Sequence, residues 1–150
     1  MKAFSDRYGG QIIGRYRTSV RKLFGIPYYF YHSIMTKQRF RAKDVSASRR
    51  HFEKIRSEFR GFMILPHSEY HEAFHATLLL HEDRIDDAKK LYASVKQGTA
   101  DRRDPNGQYV NQYCTIILDK LGGQKIAEEF ISQTKKIDCA PYIKGWLPLS

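Results

Sequence analysis

The sequence predicts an all-α protein: a basic N-terminal helical bundle followed by two antiparallel helical hairpins. Three observations lead there. Apolar residues recur at three- and four-residue spacing along most of the chain, as one face of a helix requires. Turn residues such as Gly25, Pro27, Asp104, Pro105, Gly107, Gly122 and Gly123 separate those stripes. In the second half no run competes as a strand, and only the aromatic stretch 26–35 would suit a strand as well as a helix.

In segment 10–24, Ile12, Ile13, Tyr16, Val20 and Leu23 fall within about 120° of a helical wheel at 100° per residue. Arg15 and Lys22 border one edge of that arc, and Arg17 and Arg21 the other, so cations flank an apolar seam. Gly25 and Pro27 end this helix. Pro27 also suits the first turn of whatever follows. From Ser46 onward, Phe52, Ile55, Phe59 and Phe62 recur at helical spacing with Arg49, Arg50, Lys54, Arg56 and Arg60 around them, which predicts a second basic amphipathic helix. Ser68 is placed to cap a helix carrying Tyr70, Ala73, Phe74, Thr77 and Leu78. After a turn at Glu82 and Asp83, its partner presents Ile85, Ala88, Leu91, Tyr92 and Val95. The loop 98–107 breaks the chain; Val110, Tyr113, Cys114, Ile117 and Leu121 then make a further stripe, answered by Ile126, Phe130, Ile131 and Ile137. The tail 138–150, with Pro141, Trp146 and Pro148, is expected to lie extended against the body or a partner.

A chain of 150 residues suits one helical domain: a basic, aromatic-rich part over 1–66, hairpins over 67–137 and the tail. A hydrophobic fraction of 41%, with 10 Tyr and 9 Phe, excludes a chain too polar to fold. No apolar run approaches the ~20 residues that cross a bilayer. Two cysteines, Cys114 and Cys139, form no CxxC pair and are expected to be structural thiols in a reducing compartment. The net charge of +10 is concentrated at one end: residues 1–60 carry 15 Lys or Arg against 4 Asp or Glu, and residues 61–150 carry 11 against 12. A basic segment of this kind steers anions toward itself, whether nucleic acid, anionic lipid or an acidic protein.

Of the motifs that carry chemistry, His71-Glu72-Ala73-Phe74-His75 matches HExxH, in which two His one helical turn apart hold zinc and Glu acts as base. His81 stands where a third ligand follows in the extended pattern, but Leu78 replaces the Gly that turns the chain back. A continuing helix sets His81 about 15 Å along the axis from His71, out of reach of a shared ion. The expectation is therefore no metal and no catalytic residue, with a zinc peptidase built on His71 and His75 as the alternative. Phosphate-cradling glycine loops and the GxSxG elbow are absent. Asp83, Asp86 and Asp87 are read as helix-capping residues.

Two family resemblances add to this reading. The run Ile12-Ile13-Gly14-Arg15-Tyr16-Arg17-Thr18-Ser19-Val20-Arg21 resembles the opening helix of the mitochondrial LYR-motif family, with Arg15 where that family has Leu. Ile55-Arg56-Ser57-Glu58-Phe59-Arg60 resembles its later I-R-x-x-F-R helix, so the likeness covers about residues 10–82. It implies a helical bundle that docks acyl carrier protein, with the carrier's acyl-phosphopantetheine entering the core. It also implies an accessory or assembly role in a respiratory-chain type complex. Carried over, the partner-binding residues are Arg15, Tyr16, Arg17, Arg21, Lys22, Phe59 and Arg60, with no cofactor of the chain's own. More weakly, residues 68–137 resemble tetratricopeptide packing, with Ala88 placed over Ala127 and Leu79 over Leu118. The alternative partner is RNA, as in a mitochondrial ribosomal subunit, because basic residues interleaved with Tyr and Phe can hold phosphates and stack on bases. Residues 1–43 hold ten Lys or Arg and Asp6 alone as an acid, a bias that suits the mitochondrial matrix or the matrix side of the inner membrane, with the cytoplasm as the alternative.

Overall fold

The computed structural model describes residues 25, 27–58, 69–121, 137–139 and 145–147. All regular structure among them is helical: α1 over 27–41, α2 over Val45–Glu58, α3 over Glu69–His81, α4 over Ile85–Gly98 and α5 over Pro105–Lys120. The stretch that could have been a strand is therefore the helix α1. Gly25 is helical as well, so it does not end a helix as its residue type suggested. The chain divides into two compact units, Met1–Phe62 and Met63–Ser150.

In the first unit α1 and α2 form an antiparallel hairpin. Tyr29, His32, Ser33, Thr36 and Phe40 are the buried side of α1, and Ala47, Ser48, Phe52 and Ile55 that of α2. The helices cross where both side chains are small, at Thr36 and Ser48. There the Ser48 hydroxyl donates to the Thr36 carbonyl at 2.9 Å, and the Thr36 hydroxyl to the His32 carbonyl at 2.7 Å.

The connection between α1 and α2 is set by backbone hydrogen bonding. Lys43 N–H donates to the Phe40 carbonyl and Asp44 N–H to the Arg39 carbonyl, with Lys43 in the left-handed region at φ 62°. This is a Schellman closure, which satisfies carbonyls that the end of a helix leaves open. Asp44 then caps α2, its carboxylate accepting from Ala47 N–H at 3.0 Å.

The second unit repeats this arrangement 40 positions further on, between Lys43 and Asp83. Asp83, at φ 59°, donates to the Leu80 carbonyl, and Arg84 N–H to the Leu79 carbonyl, closing α3 in the same way. The buried positions also correspond at that spacing: Ser33 with Ala73, Thr36 with Ala76, Ser48 with Ala88, Phe52 with Tyr92 and Ile55 with Val95. Each hairpin puts small residues at the crossing and a large aromatic one turn beyond. The capping differs, because Arg84 makes no side-chain cap and instead grips Asp87 at 2.7 Å. Asp83 thus serves the turn rather than capping α4, while Asp86 and Asp87 lie in the first turn of that helix.

α4 packs against both α3 and α5. Its buried side is Ala88, Tyr92 and Val95; Leu91 is half-buried, and Ile85, expected in the core, is 43% exposed because it sits at the first position of α4 beside the turn. The loop before α5 is more ordered than its polar composition suggests. Asp104 caps α5 by accepting from Gly107 N–H at 2.9 Å, Pro105 occupies the first helical position, and Arg102 bridges Asp104 to Glu69 of α3. Gly107 is needed for this clamp, since a Cβ there would lie 2.5 Å from Cβ of Arg102. The residues expected to answer α5, Ile126, Phe130 and Ile131, and the Ser68 cap lie outside the described residues.

Candidate docking surface

The solvent-exposed side of α1 is built from residues that usually avoid water. Tyr28, Phe30, Tyr31 and Ile34 are 40%, 54%, 53% and 48% exposed. At 100° per residue they span an arc of about 160° opposite the buried side, so they form one ridge along the outside of the helix. Arg41 falls within that arc and is exposed, and Arg39 and Lys43 are exposed toward its C-terminal end. Burial and the neighbouring Arg41 guanidinium both lower the affinity of the half-buried Lys37 amine for its proton.

The cations of this unit differ in what balances them. On α2, Arg49 pairs with Glu53 and Lys54 with Glu58, both at 3.3 Å, in the i,i+4 geometry that neutralises a helix surface locally. Arg41, Lys43 and Arg50 make no ion pair with any described residue. Arg39 stands 4.0 Å from Asp44. An exposed apolar ridge beside uncompensated positive charge is how a partner-binding face differs from a merely solvated basic surface.

Beneath the ridge lies a histidine pair. His32 of α1 and His51 of α2 meet Nδ1 to Nδ1 at 2.8 Å, and Tyr28 packs edge-on to His32 with ring centroids 4.3 Å apart. Tyr31 touches both imidazoles, at 5.1 Å from His32 and 5.9 Å from His51. Both histidines are held below their ordinary value of 6.5, first by burial. His51 and Lys54 act further in that direction on His32, as do Arg39 and Arg50 on His51, while Glu58 opposes it at His32.

The second unit places its polar groups differently. Thr77 of α3 receives the Tyr92 hydroxyl of α4 at 2.7 Å and the Tyr113 hydroxyl of α5 at 2.9 Å, and donates its own proton to the Ala73 carbonyl at 3.0 Å. Burial raises the pKa of both phenols, Tyr113 to about 12, so they act as neutral donors. Burial also pushes the Cys114 thiol up to about 12, and both cysteines are buried and outside any disulfide. The HExxH residues lie on α3, where His71 is buried against the ring of Trp146 at 4.8 Å and the same Trp146 contacts Phe74 at 5.2 Å. His75 lies 3.9 Å from Glu72 on the same helix, and His81 is exposed at the far end. Among the described residues no three His, Cys, Asp or Glu side chains converge as a metal-binding group. Trp146 and Leu147 are buried, so this part of the tail has a packing role.

Arg15, Tyr16, Arg17, Arg21, Lys22, Phe59 and Arg60 lie outside the described residues. The ridge and the histidine pair were not singled out from sequence, although the signal was present: reading 27–41 as a helix separates its exposed aromatics from its buried histidine. Compared with models of known families, with curated proteins and with solved structures, the chain matches none. No described helix is long and apolar enough to cross a membrane.

Proposed function

We propose that this chain is a non-catalytic accessory or assembly subunit that docks an acidic protein through its basic, aromatic N-terminal part. The observation that carries this reading is the exposed Tyr28–Phe30–Tyr31–Ile34 ridge on the helix that also carries exposed Arg41 and leads to exposed Lys43, neither of which makes an ion pair with any described residue. The partner class is an acidic helical protein of the acyl carrier type, working in a mitochondrial complex. Its carboxylates would pair with the arginines while its apolar groups cover the ridge. The LYR-like residues Tyr16, Arg17 and Arg21 extend the same chemistry, and an acyl-phosphopantetheine group would arrive only on the partner.

The second reading is single-stranded RNA, favoured by the solvent-facing rings of Tyr28 and Tyr31, which could stack on bases. Affinity capture of the full chain, with intact-mass analysis of what it retains, separates the two. An acidic protein retained after nuclease treatment and lost from the Tyr31→Glu, Arg41→Glu variant supports docking. Recovery of nucleic acid with no acidic protein defeats it. Stoichiometric zinc together with peptide hydrolysis that Glu72→Gln abolishes would overturn the non-catalytic assignment.

A further inference from the structure

The histidine pair is not required by the hairpin that contains it. At the matching positions of the second hairpin, 40 residues on, His32 is replaced by Glu72 and His51 by Leu91, yet the turn and the buried crossing are the same. The pair's buried member, His32, is also a costly thing to bury. His32 is 7% exposed, and its Nε2 is buried with no hydrogen-bond partner. Groups that a fold does not need and that burden it are candidates for function.

The geometry specifies what the pair responds to. At 2.8 Å, one Nδ1 must carry a hydrogen and the other a lone pair. Two nitrogens held by one tetrahedral ion would stand about 3.3 Å apart at ordinary zinc–nitrogen bond lengths, so the pair is spaced for a proton rather than for a metal. A first added proton is tolerated, since an imidazolium still donates Nδ1–H to a neutral neighbour. A second leaves two Nδ1–H groups facing each other and no acceptor between them.

We propose that the His32–His51 pair is a proton-operated latch on the α1 ridge: it joins α1 to α2 beneath Tyr28 and Tyr31 until both imidazoles are protonated, and then releases them. Its effect on docking rests on the function proposed for that ridge; the latch itself does not. The groups facing the pair set the direction. Arg39 from α1 and Arg50 and Lys54 from α2 oppose protonation, and Glu58 is the carboxylate that favours it at His32. Both histidines are therefore neutral near neutrality. An unfolded histidine takes up its proton around 6.5, before the folded pair does, so the stability contributed by the pair is complete above that pH and lost as the pH falls below it. Because Tyr28 and Tyr31 rest on these imidazoles, release removes the support of two ridge residues.

The test compares the full chain with His51→Gln, which keeps a neutral hydrogen-bonding side chain but cannot acquire a charge. Amide hydrogen exchange by NMR, corrected for intrinsic rates, is measured at about pH 7.5 and about pH 5, and α3 to α5 serve as the internal control. The latch predicts that α1 and α2 lose about tenfold in protection at the lower pH in the wild type but not in the variant. Equal protection at both pH values, or an equal loss in the variant, overturns it. Should His51→Gln fail to fold, the imidazole proton shifts of the wild type decide. Two coupled steps below 6.5 support the latch, and independent titration at the ordinary value overturns it. Fluorescently labelled polyaspartate reports on docking. Protonation alone would strengthen its binding, so a fall of about fivefold at the lower pH in the wild type alone carries the opposite sign and supports coupling to the ridge. If polyaspartate binds neither protein at the higher pH while protection still falls in the wild type, the docking function fails and the latch stands.

Discussion

Three hydroxyl groups, one from each of α3, α4 and α5, meet at Thr77, and this single residue satisfies two buried phenols. Thr77→Val keeps the volume and removes the one oxygen that meets both phenols, so the variant should lose about 1–3 kcal/mol in urea unfolding. Removing the phenol oxygen as well, in Thr77→Val with Tyr92→Phe, should cost less than the two single changes summed. Asp104 offers a pH test. Arg102 and then the Gly107 N–H hold its carboxyl down at about 2, so its contribution is complete above the ordinary 3.8 and lost as the pH falls from there to about 2. Asp104→Ala should destabilise by about 1 kcal/mol at neutral pH, as loss of a helix cap does, with the difference from wild type closing across that acid interval. The residue scale was the least legible in the sequence. Thr77, Tyr92 and Tyr113 appeared there as members of apolar stripes, because periodicity shows which face is buried and not which hydroxyls meet. His32 and His51 were passed over for the same reason: each has meaning only through a partner 19 positions away.

The helices themselves were largely legible, and their departures from expectation have local causes. The stripes through Tyr70 to Leu78 and Val110 to Ile117 are buried as their spacing requires. Ile85 fits the stripe of α4 but sits at its first residue beside the turn, where the helix has not yet met its neighbour. The aromatic density of 26–35 hid the period of α1, since Tyr and Phe suit strands and helices alike until burial is known. The two matching turns carry a prediction at this scale. Lys43 and Asp83 each occupy left-handed backbone at φ 62° and 59°, a conformation disfavoured for residues with a Cβ. Glycine should relieve that strain at both positions by up to about 1 kcal/mol, with the larger gain at Lys43 because Asp tolerates this region better. Thermal unfolding of Lys43→Gly and Asp83→Gly measures it. Ala88→Leu tests the crossing: with no solvent-facing room at Ala88, the added methyls should cost about 1–3 kcal/mol.

Across the whole molecule the dominant asymmetry is charge, and it falls on the unit that also exposes aromatic rings. Of the 15 Lys or Arg in residues 1–60, 11 have no acidic counterpart within that segment. Binding of an acidic protein should weaken as salt is raised from about 50 to 300 mM, over which the screening length between exposed charges shortens about 2.4-fold. A surviving affinity at high salt measures the apolar contribution of the ridge, and Phe30→Ser with Ile34→Ser should abolish that remainder while leaving the salt slope unchanged. Composition showed the charge and its location from the start. It could not show the ridge, since exposed and buried aromatics have the same letters.

The sealed thiols of this protein make it convenient to observe. Cys114 is buried and reluctant to ionise, and Cys139 is buried as well, so neither is a ready target for maleimide. A single cysteine introduced at Phe30 would take a fluorophore selectively in the otherwise native chain, reporting arrival of a partner without first stripping out the natural sulfhydryls.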